Sequence, residues 1–466
     1  MSERVPVAVV GGGIAGLAAA ARIADERGRD AVLLLEGDTR LGGKISTEHV
    51  DGFVIEGGPD CFLASKPAGV ELCRALGLAD RLQGANPHHR RSYVKRSGAL
   101  HALPDGITGL VPSSVRPLLG TSVLSLRGRA RAVLELLAPP RRDDTDESIA
   151  AFARRRFGRE AYDWLIEPLL GGIVAGDGEW LSLAATFPQL RDAERAHGSI
   201  LRGMLRPGRG GSNGNGTVPA GFVAPVGGLS EITAALTGRL AGRFRTGSAV
   251  TALRRVEDGW RIDLAGDAPV AARAVVLAVP AFVAADLLQE TDGELAAELH
   301  GIPFVSTVTV SVAFPRDGLP RPMVGSGYVS PRAEGGAVVA CSWTSNKFPA
   351  RAPRDAMLVR YFVGRAGRED AAHLEDEALK ALVRTELAAV LGVRSEPMLW
   401  RIYRWPRSMP QYVLGHRERV ARIERRVAAL GGLALAGASY RGVGIPDCIA
   451  SGWNAAALVA RAGAAA

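Results

Sequence analysis

The chain has 466 residues, enough for two or three domains, and its 47% apolar content is enough for a sizeable core. Its formal charge is +9, yet no Lys/Arg block with interleaved aromatics occurs, which argues against nucleic acid as a partner. The four cysteines, Cys61, Cys73, Cys341 and Cys448, show no CxxC and no histidine at ligand spacing, which argues against a metal site and suits a reducing cytoplasm.

Residues 5–10 read as a buried parallel strand. No basic stretch with a cleavage site precedes them, and no run of about 18 apolar residues follows, so neither a secretory leader nor a transmembrane helix is expected. Gly11-Gly12-Gly13-Ile14-Ala15-Gly16 comes next, then a helix-forming run at 17–24 and a second strand at 31–35 that ends at Glu36-Gly37. This order fits a dinucleotide site. Gly11 makes the tight turn, Gly13 admits a pyrophosphate, and Gly16 lets the helix pack on the strand. The helix N-terminus offers free N–H groups to phosphate, and Glu36 can accept hydrogen bonds from a ribose. Arg40, Gly42, Gly43 and Lys44 follow. This extension resembles the one after the ribose acid in glutathione-reductase-like FAD families, and points to FAD rather than NAD. Arg40 and Lys44 would add charge near the phosphates.

Residues 50–64 read as a strand with a Gly57-Gly58-Pro59 turn, followed by a helix at about 67–76 and a hairpin at 92–103 turning at Ser97-Gly98. The stretch 107–200 reads as mainly helical, with Asp144 and Glu147 as a capping box and Ile149, Phe152, Ala153 and Phe157 on one face. The glycine-rich run 206–221 has no apolar period and reads as a mobile loop and segment boundary. Beyond it come a strand, a helix capped by Ser230, strands at 246–253, 259–264 and 274–279, β alternation over 302–365, a helix over 370–392 and a last buried strand at 433–436. Strands of the first sheet therefore recur late in the chain, so the nucleotide domain is expected to be discontinuous.

Residues 145–190, TDESIAAFARRRFGREAYDWLIEPLLGGIVAGDGEWLSLAATFPQL, resemble the porphyrinogen oxidases of haem synthesis, the protoporphyrinogen/coproporphyrinogen oxidase family. GALHALP at 98–104, FPARAP at 348–353 and YRGVGIPDCI at 440–449 match the same family. The resemblance implies an α/β fold as in the amine oxidase superfamily. A glutathione-reductase-like FAD domain would comprise 1–90, 216–298 and 426–466. A mainly helical domain, with a possible membrane-facing surface at 107–137, would span 91–215, and a β-rich α+β substrate domain 299–425. It also implies a non-covalent FAD, a six-electron oxidation of a porphyrinogen, and O₂ reduced to H₂O₂. Transient contact with other haem-pathway enzymes is a further expectation. The run GGPDCFLASKPAG at 57–69 looks most like the Gram-positive type, associated with coproporphyrinogen III. Protoporphyrinogen IX is the alternative substrate. A flavin amine oxidase and a non-enzymatic escort protein of the same fold are more distant alternatives.

The resemblance also implies site residues. Gly58, Pro59, Asp60 and Cys61 would run along the flavin, the Val250 backbone would meet the adenine, and Trp405 would stand near the cofactor. Gly172 would leave room beside the flavin, with Val329 and Phe348 as apolar walls and Lys66 and Arg91 as propionate anchors. Arg91 lies one residue before Ser92, where eukaryotic-type members carry an Arg. The last turn, Gly437 with Gly442-Val443-Gly444-Ile445-Pro446, would bring backbone to the ribityl chain and the ring. Ala438 and Ser439 stand where many relatives of the fold carry an Asp, so backbone N–H groups are expected to replace its contacts. The redox step is assigned to the flavin, and no side chain is assigned a catalytic role.

Overall fold

The computed structural model describes residues 3–108, 110–112, 114–204, 219 and 221–462. The glycine-rich loop expected at 206–221 lies almost wholly outside them. Two seven-stranded sheets organise the described residues.

In the first sheet Glu3–Val10 runs parallel to Val32–Leu35 on one side and Val270–Leu277 on the other. Phe244–Arg245 extends one flank, and Leu433–Leu435 pairs with the second half of Val270–Leu277. Its members thus come from both ends and the middle of the chain. The segments 7–10, 32–35 and 274–277 are continuous apolar runs because both faces are covered there. Helices Ile14–Arg27, Ser230–Leu240 and Ile445–Ala462 cover one face; Ala281–Leu288, Gly293–His300 and His416–Leu430 cover the other. Each Val or Leu fully buried here contributes about 1.5–3 kcal/mol. An antiparallel hairpin, Val250–Val256 with Gly259–Leu264, joins the first half of Val270–Leu277.

The second sheet has the order Leu399–Pro410, Phe304–Pro315, Ala356–Val363, Val338–Ser342, Gly327–Val329, Ser92–Arg96, Ala99–Ala102. Alternation assigns its faces. Val308, Val310, Val312 and Phe314 pack with Leu379 and Val383 of helix Asp376–Glu386. Thr309, on the other face, donates its hydroxyl to the Gly57 carbonyl at 2.7 Å and so ties the sheet to the nucleotide unit. The hairpin at Ser92–Ala102 falls within the helical domain expected at 91–215. It belongs to this sheet, because Ser92–Val94 pairs in parallel with Gly327–Val329.

The helical stretch packs around Phe152, Phe157, Leu165 and Leu170. Its expected capping box is not formed. Ser148 caps helix Ile149–Phe157 by accepting from the Ala151 N–H at 3.1 Å, while Glu147 is buried against Arg155 at 2.8 Å. Ser230 does not cap its helix either; its hydroxyl accepts from the Thr47 N–H at 2.9 Å.

Candidate active site

The first glycine turn is closed by sterics. Gly11 has φ +103°, and a Cβ on it would lie 2.6 Å from the Ala278 carbonyl oxygen. A Cβ on Gly16 would lie 1.9 Å from the Gly11 oxygen, so only glycine lets helix Ile14–Arg27 sit this close to its strand. Gly13 is the helix N-cap, and a Cβ there would meet nothing within 4 Å. The backbone thus leaves room over the N–H groups of Ile14 and Ala15. Glu36 accepts the Gly12 N–H at 2.5 Å and the Asp38 N–H at 2.8 Å. Its carboxylate is therefore held at the turn with acceptor capacity to spare. Ser248 donates its N–H to the Glu36 carbonyl at 2.8 Å, which brings Val250 and its strand to the same edge, beside Gly37.

The Arg40–Lys44 loop lies against this turn. Gly42 donates to the Gly12 carbonyl at 2.8 Å. Arg40 donates to the carbonyls of Gly43 at 2.6 Å and Ile45 at 3.0 Å. Its guanidinium thus shapes its own loop, while Lys44 stands exposed. A Cβ on Gly58 would lie 1.9 Å from the Lys44 oxygen, so the Gly57–Cys61 run lies directly against the loop. Besides Thr309, three groups pin that run. Trp405 donates its indole N–H to the Gly57 carbonyl at 2.9 Å. Arg360, which is buried, donates to the Glu56 and Gly58 carbonyls at 2.9 and 2.8 Å. Lys347 reaches Asp60 at 3.2 Å and the Cys61 sulfur at 3.0 Å.

Burial alone would raise the Asp60 pKa; Lys347 and Arg360 outweigh it and hold the carboxyl well below the usual range. Burial and the Asp60 carboxylate push the Cys61 thiol up to about 12. Burial would lower Lys347, but Asp60 and Cys61 raise it to about 12. At neutral pH the cluster is therefore ammonium, carboxylate and thiol.

The last turn closes the cradle. Gly437 has φ +111° with nothing within 4 Å of a Cβ, and its N–H donates to the Ser451 hydroxyl at 3.0 Å. Gly442 donates to the Tyr412 hydroxyl at 2.8 Å, and Gly444 to the Asp447 carboxylate at 3.1 Å. Val443 packs on the helical core, and Ile445 and Pro446 begin the last helix. Ser439 is buried and accepts from the Ala281 N–H at 3.1 Å.

The substrate candidates are dispersed. Gly172 and Val329 meet: a Cβ on Gly172 would lie 3.2 Å from Val329 Cγ1. Phe348 is fully buried in the nucleotide core, under Lys347 and Arg351, rather than on a cleft wall. Lys66 is engaged by Asp447 at 2.6 Å, so its charge is already countered. Arg91 is exposed at the start of the Ser92–Arg96 strand. Sequence reasoning missed Lys347 and Arg360. A lone arginine inside the apolar strand AMLVRYFV was the available signal, since a buried charge must have partners.

The chain matches the family of flavin containing amine oxidoreductases over residues 14–460. It is 35% identical to coproporphyrinogen III oxidase of Bacillus subtilis over 96% of both chains. It belongs to the porphyrinogen oxidase family of flavin-containing amine oxidoreductases. Coproporphyrinogen III oxidase of Staphylococcus aureus is 30% identical over 97% of this chain and 98% of that protein; human protoporphyrinogen oxidase is 31% identical with the same coverage. A crystal structure from Exiguobacterium sp. 255-15, provisionally assigned as a protoporphyrinogen oxidase, superposes with TM-score 0.85 and 33% identity over 98% of both chains. Reduced UDP-galactopyranose mutase, 16% identical with TM-score 0.73, shares the fold. For this porphyrinogen oxidase family member the cofactor is FAD. The residues fit it: backbone N–H groups open to space at Gly13, an acid at the second strand, and an open positive-φ glycine at the opposite end of the cradle.

Proposed function

We propose that this chain oxidises coproporphyrinogen III to coproporphyrin III, with non-covalent FAD, O₂ as terminal acceptor and H₂O₂ as product. The supporting observation is the 35% identity to the Bacillus subtilis coproporphyrinogen III oxidase over 96% of both chains. Bound FAD supplies a two-electron acceptor that O₂ restores. The chain holds and orients. The Gly11–Gly16 turn serves the pyrophosphate, Glu36 a ribose, and the Val250 edge the adenine. Arg360, Trp405 and Lys347 fix the Gly57–Cys61 run beside the ring. Gly172 and Val329 offer an apolar wall to the macrocycle. Comparing kcat/KM for coproporphyrinogen III and protoporphyrinogen IX tests the reading.

We also propose a cytoplasmic enzyme that can rest on an anionic membrane surface. Among the described residues no helix is long and apolar enough to cross a membrane. Leu119, Leu126, Leu134 and Leu137 are nonetheless exposed at 50–79%, interleaved with arginines. Flotation with anionic liposomes tests this; protein left at the bottom contradicts it.

A further inference from the structure

Glu167 opens the helix Glu167–Val174 that carries Gly172, and it is 4% exposed. Its carboxylate meets two guanidiniums from the second sheet's side: Arg365 at 3.2 Å and Arg332 at 3.3 Å. It also accepts the Arg332 backbone N–H at 2.9 Å. Arg365 is 1% exposed and donates to the carbonyl of Ser330, next to Val329, at 2.8 Å. At the other end of the helix Arg332 donates to the Gly176 carbonyl at 3.3 Å, and the Ala366 N–H donates to the Ala175 carbonyl at 2.8 Å.

The helix is bracketed by irregular backbone. A π-helical turn, Tyr162–Ile166, precedes it, and Ala175 with φ +51° ends it. Neither is intrinsically favoured, so packing must hold the helix in register. Between these ends Gly172 and Ile173 are exposed, and Gly172 abuts Val329 with no room for a relaxed Cβ. Helix and strand therefore present one continuous surface.

We propose that Glu167 is a positioning residue for substrate selection: its ion pairs with Arg365 and Arg332 seat this helix on the sheet and so set the Gly172–Val329 surface against which the porphyrinogen lies. This rests on the reading of Gly172 and Val329 as the porphyrinogen wall. Losing the carboxylate leaves the Arg365 cation buried without a counter-charge, which opens the seam. The cofactor loops are held by other groups, so FAD remains bound.

The test is the Glu167→Gln holoenzyme. KM for coproporphyrinogen III should rise by about fivefold or more with kcat changed by less than about twofold, because uniform binding is what is lost. The kcat/KM ratio of coproporphyrinogen III to protoporphyrinogen IX should shift while flavin content stays full. In the double variant E167Q/R365Q an amide pair replaces the charges, and the ratio should return toward wild type. An unchanged KM and ratio in flavin-replete Glu167→Gln overturns the proposal while leaving the proposed function intact. Should that variant fail to fold, Arg332→Gln must raise KM in the same selective way, and unchanged kinetics there equally overturns it. Wild-type enzyme inactive on both porphyrinogens overturns the functional reading and this inference with it.

Discussion

Gly452 in the last helix lies against the Ala15 carbonyl in the first: a Cβ on Gly452 would come within 2.2 Å of that oxygen. These two helices begin at the glycine turns from opposite ends of the chain. Their backbone-to-backbone crossing makes the two turns parts of one cradle. Gly452→Val should therefore destabilise the protein by about 1–3 kcal/mol, as overpacking does. The ratio of flavin to protein absorbance should fall with it. Full flavin content and an unchanged Tm would contradict this coupling.

Glu36→Gln keeps the shape at the first turn but removes the charge that holds the Gly12 N–H. Hydrogen bonds to charged groups are worth about 1.5–3 kcal/mol, so FAD affinity should drop by roughly tenfold or more. Titration of apoprotein with FAD checks this; an unaltered Kd removes Glu36 from the site.

Gly444→Val should lower FAD occupancy. A Cβ there lies 3.0 Å from the Asp447 carboxylate, which already accepts the Gly444 N–H and pairs with Lys66. The first turn of the last helix must shift to accept the side chain. Normally yellow protein with full flavin would sink this claim.

Lys347→Met leaves the half-buried Asp60 with Arg360 as its remaining cation, which should cost about 1–3 kcal/mol. The pH dependence then weakens. In the wild type the Asp60 pKa is depressed, so its contribution to stability is complete above the unfolded-state value near 3.8 and is lost as pH falls below it. In the variant Arg360 is left to oppose burial, so the Asp60 pKa is less depressed and the loss of stability below the unfolded-state value should be shallower. Urea unfolding midpoints across pH 3–8 distinguish the two slopes; parallel curves would show that Lys347 does not set the Asp60 charge.

The cradle was legible where it is local. The Gly11–Gly16 turn, Glu36 and the Gly57-Gly58 turn each carry their geometry within a few residues, because positive φ and close approach demand glycine. The helix caps differ from the local signal because the helix begins at Ile149, where Ser148 caps it, and because Ser230 bonds the Thr47 N–H instead of its own helix. Lys347 and Arg360 act on residues about three hundred positions away, and no periodicity records such a pairing. That Phe348 lies in the core and that Lys66 pairs with Asp447 depend on contacts far apart in the chain, which residue type alone does not record.

The most direct test of the central claim is turnover of coproporphyrinogen III against protoporphyrinogen IX by the flavin-replete enzyme in air, followed by porphyrin fluorescence and H₂O₂ release. The account predicts oxidation of both with higher kcat/KM for coproporphyrinogen III. A preference for protoporphyrinogen IX, or amine oxidation without porphyrin formation, would contradict it.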